Sequence, residues 1–255
     1  MASLKWDQLG EKLYEHGDKS MALYVSPGPN ETAVVGSSYT KGVAWNGITG
    51  LNITASGAEE TPLWADDIKY GSMRSAEETG LTIEAYTSPK EFDICDGTET
   101  ILGGVNIGQQ TRRAFGCAFI TTIANDSYGD DFGEKLHLLY NLTANPSERA
   151  YTTINDSPEA MTLSWECSST PINVVYNDRV FKPTAHIVID SSKLTNGKAN
   201  TEYLALKAAL FGTDGADDQP GTDPYLPDPA GVFTIMTPVT PPSPDPEDPE
   251  EDVTP

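Results

Sequence analysis

The sequence is short of positive charge. Of its 255 residues only 16 are Lys or Arg, against 38 Asp or Glu, and the formal net charge is −22. Binding to nucleic acid depends on Lys and Arg side chains that replace the counterions condensed on phosphate, and anionic membranes attract the same residues. This charge balance argues against sequence-specific DNA binding and against binding to anionic membranes.

Cysteine and long apolar runs are also scarce. The three cysteines, Cys95, Cys117 and Cys167, are an odd number at wide and irregular spacing, which matches neither a zinc site nor a disulfide framework. We expect them to be small buried apolar residues. No run approaches the roughly 18 apolar residues of a membrane span, and residues 1–10 lack the apolar core of a signal peptide. We therefore expect a protein that is cytoplasmic when it is made.

The motifs of catalysis are missing as well. The sequence has no Gly-x-Ser-x-Gly elbow, no His-Glu-x-x-His pair and no phosphate-binding loop in a strand-turn-helix context. Its three histidines, His16, His137 and His186, lie in polar or strand-like segments, where a structural or surface role is more frequent than catalysis. We predict no enzymatic activity and no cofactor, and a hydrolase with paired carboxylates is the most distant alternative.

Two acidic clusters have the oxygen ligands that calcium prefers. One is the pair Asp66 and Asp67. The other comprises Asn125, Asp126, Asp130, Asp131 and Glu134. Neither cluster has the spacing of an EF-hand loop, so we interpret both as solvated acidic turns and predict no metal site.

Proline and acidic residues divide the chain. Residues 213–255 hold 11 of the 19 prolines and 11 of the 38 acidic residues, with no Lys or Arg. We predict a folded β-domain over residues 1–212 and an extended arm over 213–237 that docks on the body or on a neighbour. Residues 238–255 form an acidic, proline-rich tail, which we expect to be disordered or exposed because it cannot bury enough apolar area.

Alternation of apolar and polar residues predicts a mainly β body. It is clearest in 81–86 and 161–167, and further strands are expected in 21–25, 39–54, 108–123, 135–142 and 185–190. The dipeptide Asn46-Gly47 favours a tight hairpin turn within 39–54. One helix is predicted over 201–211, beginning after Asn200 and ending at Gly212. Residues 224–236 are expected to form an extended, docked arm.

One segment, 57–67, stands out as a candidate interaction site. It is acidic and broken by Pro62, and we predict an exposed loop that carries the large apolar residues Leu63 and Trp64. An apolar anchor surrounded by charge is the composition of an interface hot spot, although a loop tryptophan also often folds back onto its own domain. The candidate residues are Glu59, Glu60, Thr61, Pro62, Leu63, Trp64, Asp66 and Asp67.

A series of short motifs, in this order, resembles one protein family. They are Val43-Ala44-Trp45-Asn46-Gly47, Ser56-Gly57-Ala58-Glu59, Ala65-Asp66-Asp67-Ile68-Lys69-Tyr70, Ser75-Ala76-Glu77-Glu78, Thr82-Ile83-Glu84-Ala85-Tyr86, Ile107-Gly108-Gln109-Gln110 and Asn155-Asp156-Ser157-Pro158-Glu159-Ala160. Together they resemble the major tail protein, or tail tube protein, of long-tailed siphophages, particularly those of Gram-positive hosts. The resemblance covers about residues 6–236 and includes no catalytic residue.

The resemblance implies a β-sandwich or barrel-like subunit with one flanking α-helix, a long inter-ring loop and extended terminal arms. Such subunits form hexameric rings, in which neighbouring sheets close into a lumenal β-barrel, and the rings stack into a tube whose length a tape measure protein sets. Tail terminator and distal tail or baseplate proteins are the expected partners at the ends. DNA passes through the lumen without specific binding, and the protein is expected in the virion after assembly in the host cytoplasm.

By position and composition, residues 57–70 are expected to be the loop that reaches the next ring, with Arg112 and Arg113 as the bases that its acids contact. Glu84 and Glu166 are expected to face the lumen. Many relatives carry an added immunoglobulin-like domain, whereas this sequence has the acidic tail. The alternative is a baseplate or receptor-binding β-domain that binds host carbohydrate through Trp64 or Trp165.

Overall fold

The structure is a computed structural model, and it describes residues 4–57, 59–147, 149, 151, 153, 160–215 and 220–238. The predicted tail, 238–255, lies outside these residues except for Pro238. Strands dominate the described chain and one principal helix accompanies them, which confirms the predicted mainly β fold. No helix in the described ranges is long and apolar enough to cross a membrane.

The described strands are numbered in chain order. They are β1 (Leu13–Val25), β2 (Val43–Ala44), β3 (Ile48–Gly57), β4 (Glu60–Ala65), β5 (Ile68–Arg74), β6 (Glu77–Ala85), β7 (Glu99–Leu102), β8 (Val105–Ile107), β9 (Phe115–Asn125), β10 (Gly129–Ala144), β11 (Leu163–Ser169), β12 (Ile172–Tyr176), β13 (Arg179–Thr184) and β14 (His186–Asp190). The helices are α1 (Thr201–Phe211) and α2 (Pro229–Ile235).

Eight strands form one antiparallel sheet in the order β2-β1-β9-β10-β11-β6-β3, and β14 also pairs with β10. The sheet branches along β10, because residues 135–139 pair with β14 while residues 142–144 pair with β11. Asn141 lies between these two segments with a φ of 49°, and the pairing of β10 with β9 shifts register at the same place. Because of this irregularity, the two parts of β10 pair with two different strands, β14 and β11, along the same edge.

The sheet curves around an aromatic core. The core takes side chains from β1, β6, β9, β10 and β11, and β1 approaches β3 across it. At its centre the Phe92 ring lies 4.5 Å from the Trp45 ring and 5.2 Å from the Trp165 ring, measured between centroids. Aromatic pairs at this spacing add to the stabilisation from burial. Trp165 is therefore a core residue, and its predicted role as a carbohydrate contact is wrong.

The three cysteines lie in this core as free, buried thiols, as the sequence predicted. Burial raises the pKa of Cys95 and of Cys167 to about 12. A thiol with such a pKa stays protonated near neutral pH and is a poor nucleophile. The cysteines act as packing residues.

The opposite face of β1, β9 and β10 is covered by the two helices, which form a second core. The Tyr24 hydroxyl donates a hydrogen bond to the carbonyl oxygen of Leu210 in α1, at 2.6 Å. The Tyr140 hydroxyl donates to the carbonyl oxygen of Pro227, just before α2, at 3.0 Å. This half of the sheet is thus buried on both faces, while the half made of β11, β6 and β3 is buried on one.

The helix predicted at 201–211 is confirmed with the same bounds. The Asn200 side chain accepts a hydrogen bond from the Tyr203 backbone N–H at 2.8 Å, and Gly212 follows the helix with a φ of 74°. A capping side chain and a glycine at positive φ are the signals that delimit helices in sequence.

Two local predictions are wrong. Residues 224–236 do not form an extended arm throughout, since Pro229–Ile235 is a helix whose Val232 packs into the second core. Asn46-Gly47 does not close a hairpin either, because β2 pairs with β1 while β3 pairs with β6. Gly47 has the expected positive φ of 80°, but the strands on its two sides join different partners.

Candidate functional site

The segment predicted as an irregular loop is instead the end of a long two-stranded ribbon. Gly57 lies opposite Glu77 at the end of the β3–β6 pair, and Glu60 lies opposite Arg74 at the start of the β4–β5 pair. The offset between the two strands is the same in both pairs, although Gly57 has a φ of 77° and β4–β5 is a separate two-stranded sheet. The loop prediction for 57–67 is therefore wrong for residues 60–65, which form β4.

The ribbon extends well beyond the rest of the sheet. β11 pairs with β6 only as far as Gly80, and further out, among the residues that the structure describes, β3 and β6 pair only with each other. β4, from Glu60 to Ala65, has six residues, so at about 3.3 Å per residue the β4–β5 hairpin is about 20 Å long. Its side chains are exposed almost throughout.

The tip of this β4–β5 hairpin is a tight turn made by the two aspartates of the candidate site. Asp66 and Asp67 have φ angles of 50° and 62°, and they join the paired residues Ala65 and Ile68. Two consecutive residues at positive φ form the type I′ turn that matches strand twist, and Asp tolerates that conformation. These two acids therefore shape the turn and project its charge into solvent.

Leu63 and Trp64 lie on opposite faces of the hairpin, because successive residues in a strand alternate. Cross-strand pairing places Ile68 and Met73 on the face of Leu63, opposite Ala65 and Thr61 respectively. Trp64 lies on the other face, opposite Lys69. The hairpin thus has an apolar face with Leu63, Ile68 and Met73, and a mixed face with Trp64 among charges.

The charges of the mixed face are largely neutralised within the hairpin. Glu60 is paired with Lys69, and a guanidinium nitrogen of Arg74 lies 3.9 Å from its carboxylate. Glu59 is held at the base of the hairpin, where its backbone N–H donates to the Ser75 hydroxyl at 3.2 Å. The negative charge left over is at the turn.

Arg112 and Arg113, the predicted basic partners of this hairpin, are used elsewhere in their own chain. Arg113 forms an ion pair with Glu31 at 2.6 Å. Arg112 donates to the backbone carbonyl oxygen of Asp96 at 3.0 Å. Both arginines hold the segment that precedes β9.

The large apolar side chains of the hairpin lack cover from their own domain. Trp64 is 68% exposed, Tyr70 77%, Ile68 64% and Met73 61%. A two-stranded hairpin is marginally stable on its own in water, and clustered exposed apolar residues mark interaction sites. The expectation that Trp64 faces away from its own core agrees with this exposure.

Two further hairpins expose apolar residues, and sequence reasoning missed both of them. The β7–β8 hairpin turns at Gly103-Gly104 and exposes Leu102 and Val105, while the β12–β13 hairpin turns at Asn177-Asp178. In both, a dipeptide that favours positive φ separates two apolar runs, and that is the sequence signal of a hairpin.

Glu84 and Glu166 lie on the uncovered outer face of the sheet. Glu84 is opposite Ser164, and Glu166 is opposite Thr82. Strands β3, β6 and β11 contain no Lys or Arg. This face is polar and anionic, which agrees with the side-chain direction expected for the two glutamates.

The acidic cluster around residues 125–134 is dispersed among separate partners. The Asn125 side chain accepts bonds from the N–H groups of Ser127 and Tyr128. The acids contact different groups: Asp126 the Gly10 N–H, Asp130 His16, Asp131 Lys198 and Glu134 Lys207. Over the ranges that the structure describes, no group of three or more His, Cys, Asp or Glu is placed to hold a metal ion.

Two of the histidines meet between β10 and β14. His137 Nδ1 is 3.2 Å from His186 Nε2, and His137 Nε2 is 3.1 Å from the Thr121 hydroxyl and 3.5 Å from Glu15. Burial lowers the pKa of His137, and it lowers that of His186, beside the His137 ring, to about 4. The pair bridges two strands.

A cleft of about 500 Å³ lies where β1 and β3 approach each other. Its charged lining residues are Asp18 and Lys19, beside Trp45 and the end of α1. Its lining contains no histidine or cysteine. The cleft offers an apolar and backbone surface rather than paired catalytic groups.

No protein family and no curated protein sequence matches this chain. Among solved structures, a similarity was found to a chain in the cryo-EM structure of an extracellular contractile injection system, the PVC sheath–tube complex in its extended state. The identity is 11%, the match covers 67% of this chain and 88% of that chain, and the TM-score is 0.28.

Proposed function

We propose that this chain is a non-enzymatic structural protein, the subunit of the tail tube of a long-tailed phage. The observation that carries the proposal is the β4–β5 hairpin, which is about 20 Å long and exposes large apolar side chains on both of its faces. The sequence motifs that resemble siphophage tail tube proteins include the turn of this same hairpin.

The sheet also supports polymerisation. Among the described residues, β3 pairs only with β6, and residues 13–20 of β1 pair only with β9. Exposed strand edges pair readily with other chains unless they are covered. In the proposed hexameric ring, the neighbouring copies cover these edges.

The charge of the uncovered sheet face suits a conduit for DNA. With Glu84 and Glu166 on it and no Lys or Arg in β3, β6 or β11, this face repels phosphate. We propose that it lines the lumen, so that the tape measure protein and then DNA pass without specific binding. Tail terminator and distal tail or baseplate proteins would contact the ends of the tube in the virion.

Electron microscopy of the purified full-length chain tests this proposal. Negative staining over a series of protein concentrations is expected to show rings or tubes. A protein that stays monomeric at high concentration and binds glycans would instead be the alternative, a receptor-binding β-domain. In that alternative Trp64 would contact the carbohydrate, since its side chain is 68% exposed.

A further inference from the structure

Most basic side chains of the folded body already have an acidic partner in their own chain. A carboxylate lies within 4.0 Å of Lys41, Lys69, Arg74, Arg113, Lys135, Arg149, Lys193, Lys198 and Lys207. A second molecule that brings an acidic surface would have to compete with these contacts. Bases outside this set are the better candidates for binding it.

The β12–β13 hairpin carries two such bases on one strand. Arg179 and Lys182 are exposed on β13, and no carboxylate of the described residues lies within 4.0 Å of either. Val175 and Val180 lie opposite each other, 48% and 74% exposed, on the face to which Lys182 also points by strand alternation. Arg179 lies on the other face, with its guanidinium 5.1 Å from the centroid of the Phe181 ring. Asp178, in the turn, is the one acid of this hairpin. The surface is basic and apolar in an otherwise acidic chain.

The remaining unpaired lysines do not form a comparable surface. Lys12, Lys19 and Lys90 each have an acidic residue next to them in sequence, and Lys5 lies near Asp7. The β7–β8 hairpin has exposed apolar residues but no base. Among the described hairpins, β12–β13 alone combines exposed apolar side chains with an unpaired base, Lys182, that has no acid next to it in sequence, whereas Arg179 follows Asp178.

The tip of the β4–β5 hairpin presents the opposite combination. Asp66 and Asp67 have no base within 4.0 Å in the described part of the chain, since Lys69 and Arg74 are directed to Glu60. Directly behind the turn is the apolar face with Ile68. One hairpin is acidic and apolar, and the other is basic and apolar.

We propose that the tip of the β4–β5 hairpin docks on the β12–β13 hairpin of a second copy of this chain. Asp66 and Asp67 then face Lys182, and the apolar face meets Val175 and Val180. The proposal rests on the proposed function and names the acceptor for its projecting hairpin. A contact between two different surfaces is heterologous, so it generates rings or open stacks rather than closed dimers.

Charge reversal is the first test. The variant K182E places an acid opposite Asp66 and Asp67, and like charges across an interface are strongly unfavourable. We expect the concentration needed for assembly to rise about tenfold, with a smaller rise at high salt because of screening. The control K90E makes the same change of charge at an exposed, unpaired lysine away from both hairpins. Circular dichroism checks that both variants are folded.

Cysteine cross-linking tests the contact directly. One batch of protein carries Ala65→Cys and another carries Val180→Cys, and the native cysteines are buried. Under mild oxidation of assembled protein, a cross-linked dimer is expected only when the two batches are mixed.

Assemblies in which the mixed batches give no dimer, and in which K182E behaves like K90E, would overturn the docking while leaving the tube proposal intact. Failure of the unaltered protein to assemble would overturn the tube proposal itself.

Discussion

The two ends of the β3–β6 ribbon have the same backbone pairing in very different surroundings. At Leu81 and Ile83, β6 lies between β3 and β11, and its inner side chains are fully buried in the aromatic core. Beyond Gly80 the ribbon has two strands only, and both faces are exposed. Burial of apolar area contributes about 25 cal/mol per Å², so the inner end is stabilised by its own chain and the outer end is not.

This difference separates folding from assembly along a single element. The inner end determines whether the subunit folds, while the outer end needs another molecule to cover it. Substitutions should therefore affect the free energy of unfolding at one end and association at the other.

The largest effect on stability is expected at the core. Trp165→Ala removes a side chain that is 2% exposed and packs against Trp45 and Phe92, and it should lower the free energy of unfolding by about 3–5 kcal/mol. Urea denaturation measures this change. Trp6→Ala is the matched control, because Trp6 is 75% exposed. Equal effects of the two substitutions would contradict the assigned core.

Acidification should have the next largest effect, through His137 and His186. Burial lowers both pKa values in the folded state, with that of His186 at about 4, whereas an unfolded histidine titrates near pH 6.5. The unfolded chain then binds more protons, so stability is lost as pH falls from about 6.5 toward 4, by at most about 1.4 kcal/mol per pH unit for each proton. Two protonated rings would also have no acceptor nitrogen for a bond between them.

The measurement is the urea midpoint at a series of pH values. Glu15, Lys135 and Thr121 also face this pair, and the variant His186→Gln isolates the contribution of one ring. We expect it to have a shallower dependence on pH than the unaltered protein. An unchanged slope would show that other groups cause the dependence.

Substitutions on the hairpin should change assembly with little effect on folding. Trp64→Ala alters the mixed face, and L63S/I68S/M73S alters the apolar face. Each should change the free energy of unfolding of the monomer by no more than about 0.5 kcal/mol, as surface substitutions usually do, while rings or tubes become rarer in electron micrographs. A large fall in the melting temperature of the monomer would show that the hairpin packs on its own body.

The smallest effect on stability is expected for E84K/E166K, on the uncovered sheet face. If this face lines the lumen, assembled tubes of the variant should retain double-stranded DNA in a salt-dependent way. E11K/E91K adds the same charge at other exposed positions and serves as the control. Equal DNA retention by both variants would mean that the sheet face does not line the lumen.

Local signals in the sequence were sufficient for several elements. Asn200 and Gly212 delimit α1, and strict alternation placed Leu81, Ile83 and Trp165 on one buried face, as the structure has them. The free buried cysteines were predicted in the same way. In each case one face of the element is buried by its own chain, so burial leaves a periodic pattern in the sequence.

The tertiary structure decided what such patterns do not encode. The β4–β5 hairpin has no alternation of apolar and polar residues to detect, because neither of its faces is buried. The pairing of its two strands has the same offset as that of β3 with β6. Trp64 and Trp165 have the same chemistry, yet one is exposed and the other is in the core. Within their own chain Arg112 and Arg113 contact Asp96 and Glu31, and their contact with the hairpin of another subunit stays a prediction. The sequence by itself determined the mainly β class, α1 and the strands with one buried face, and only long-range packing decided which side chains are left to meet another molecule.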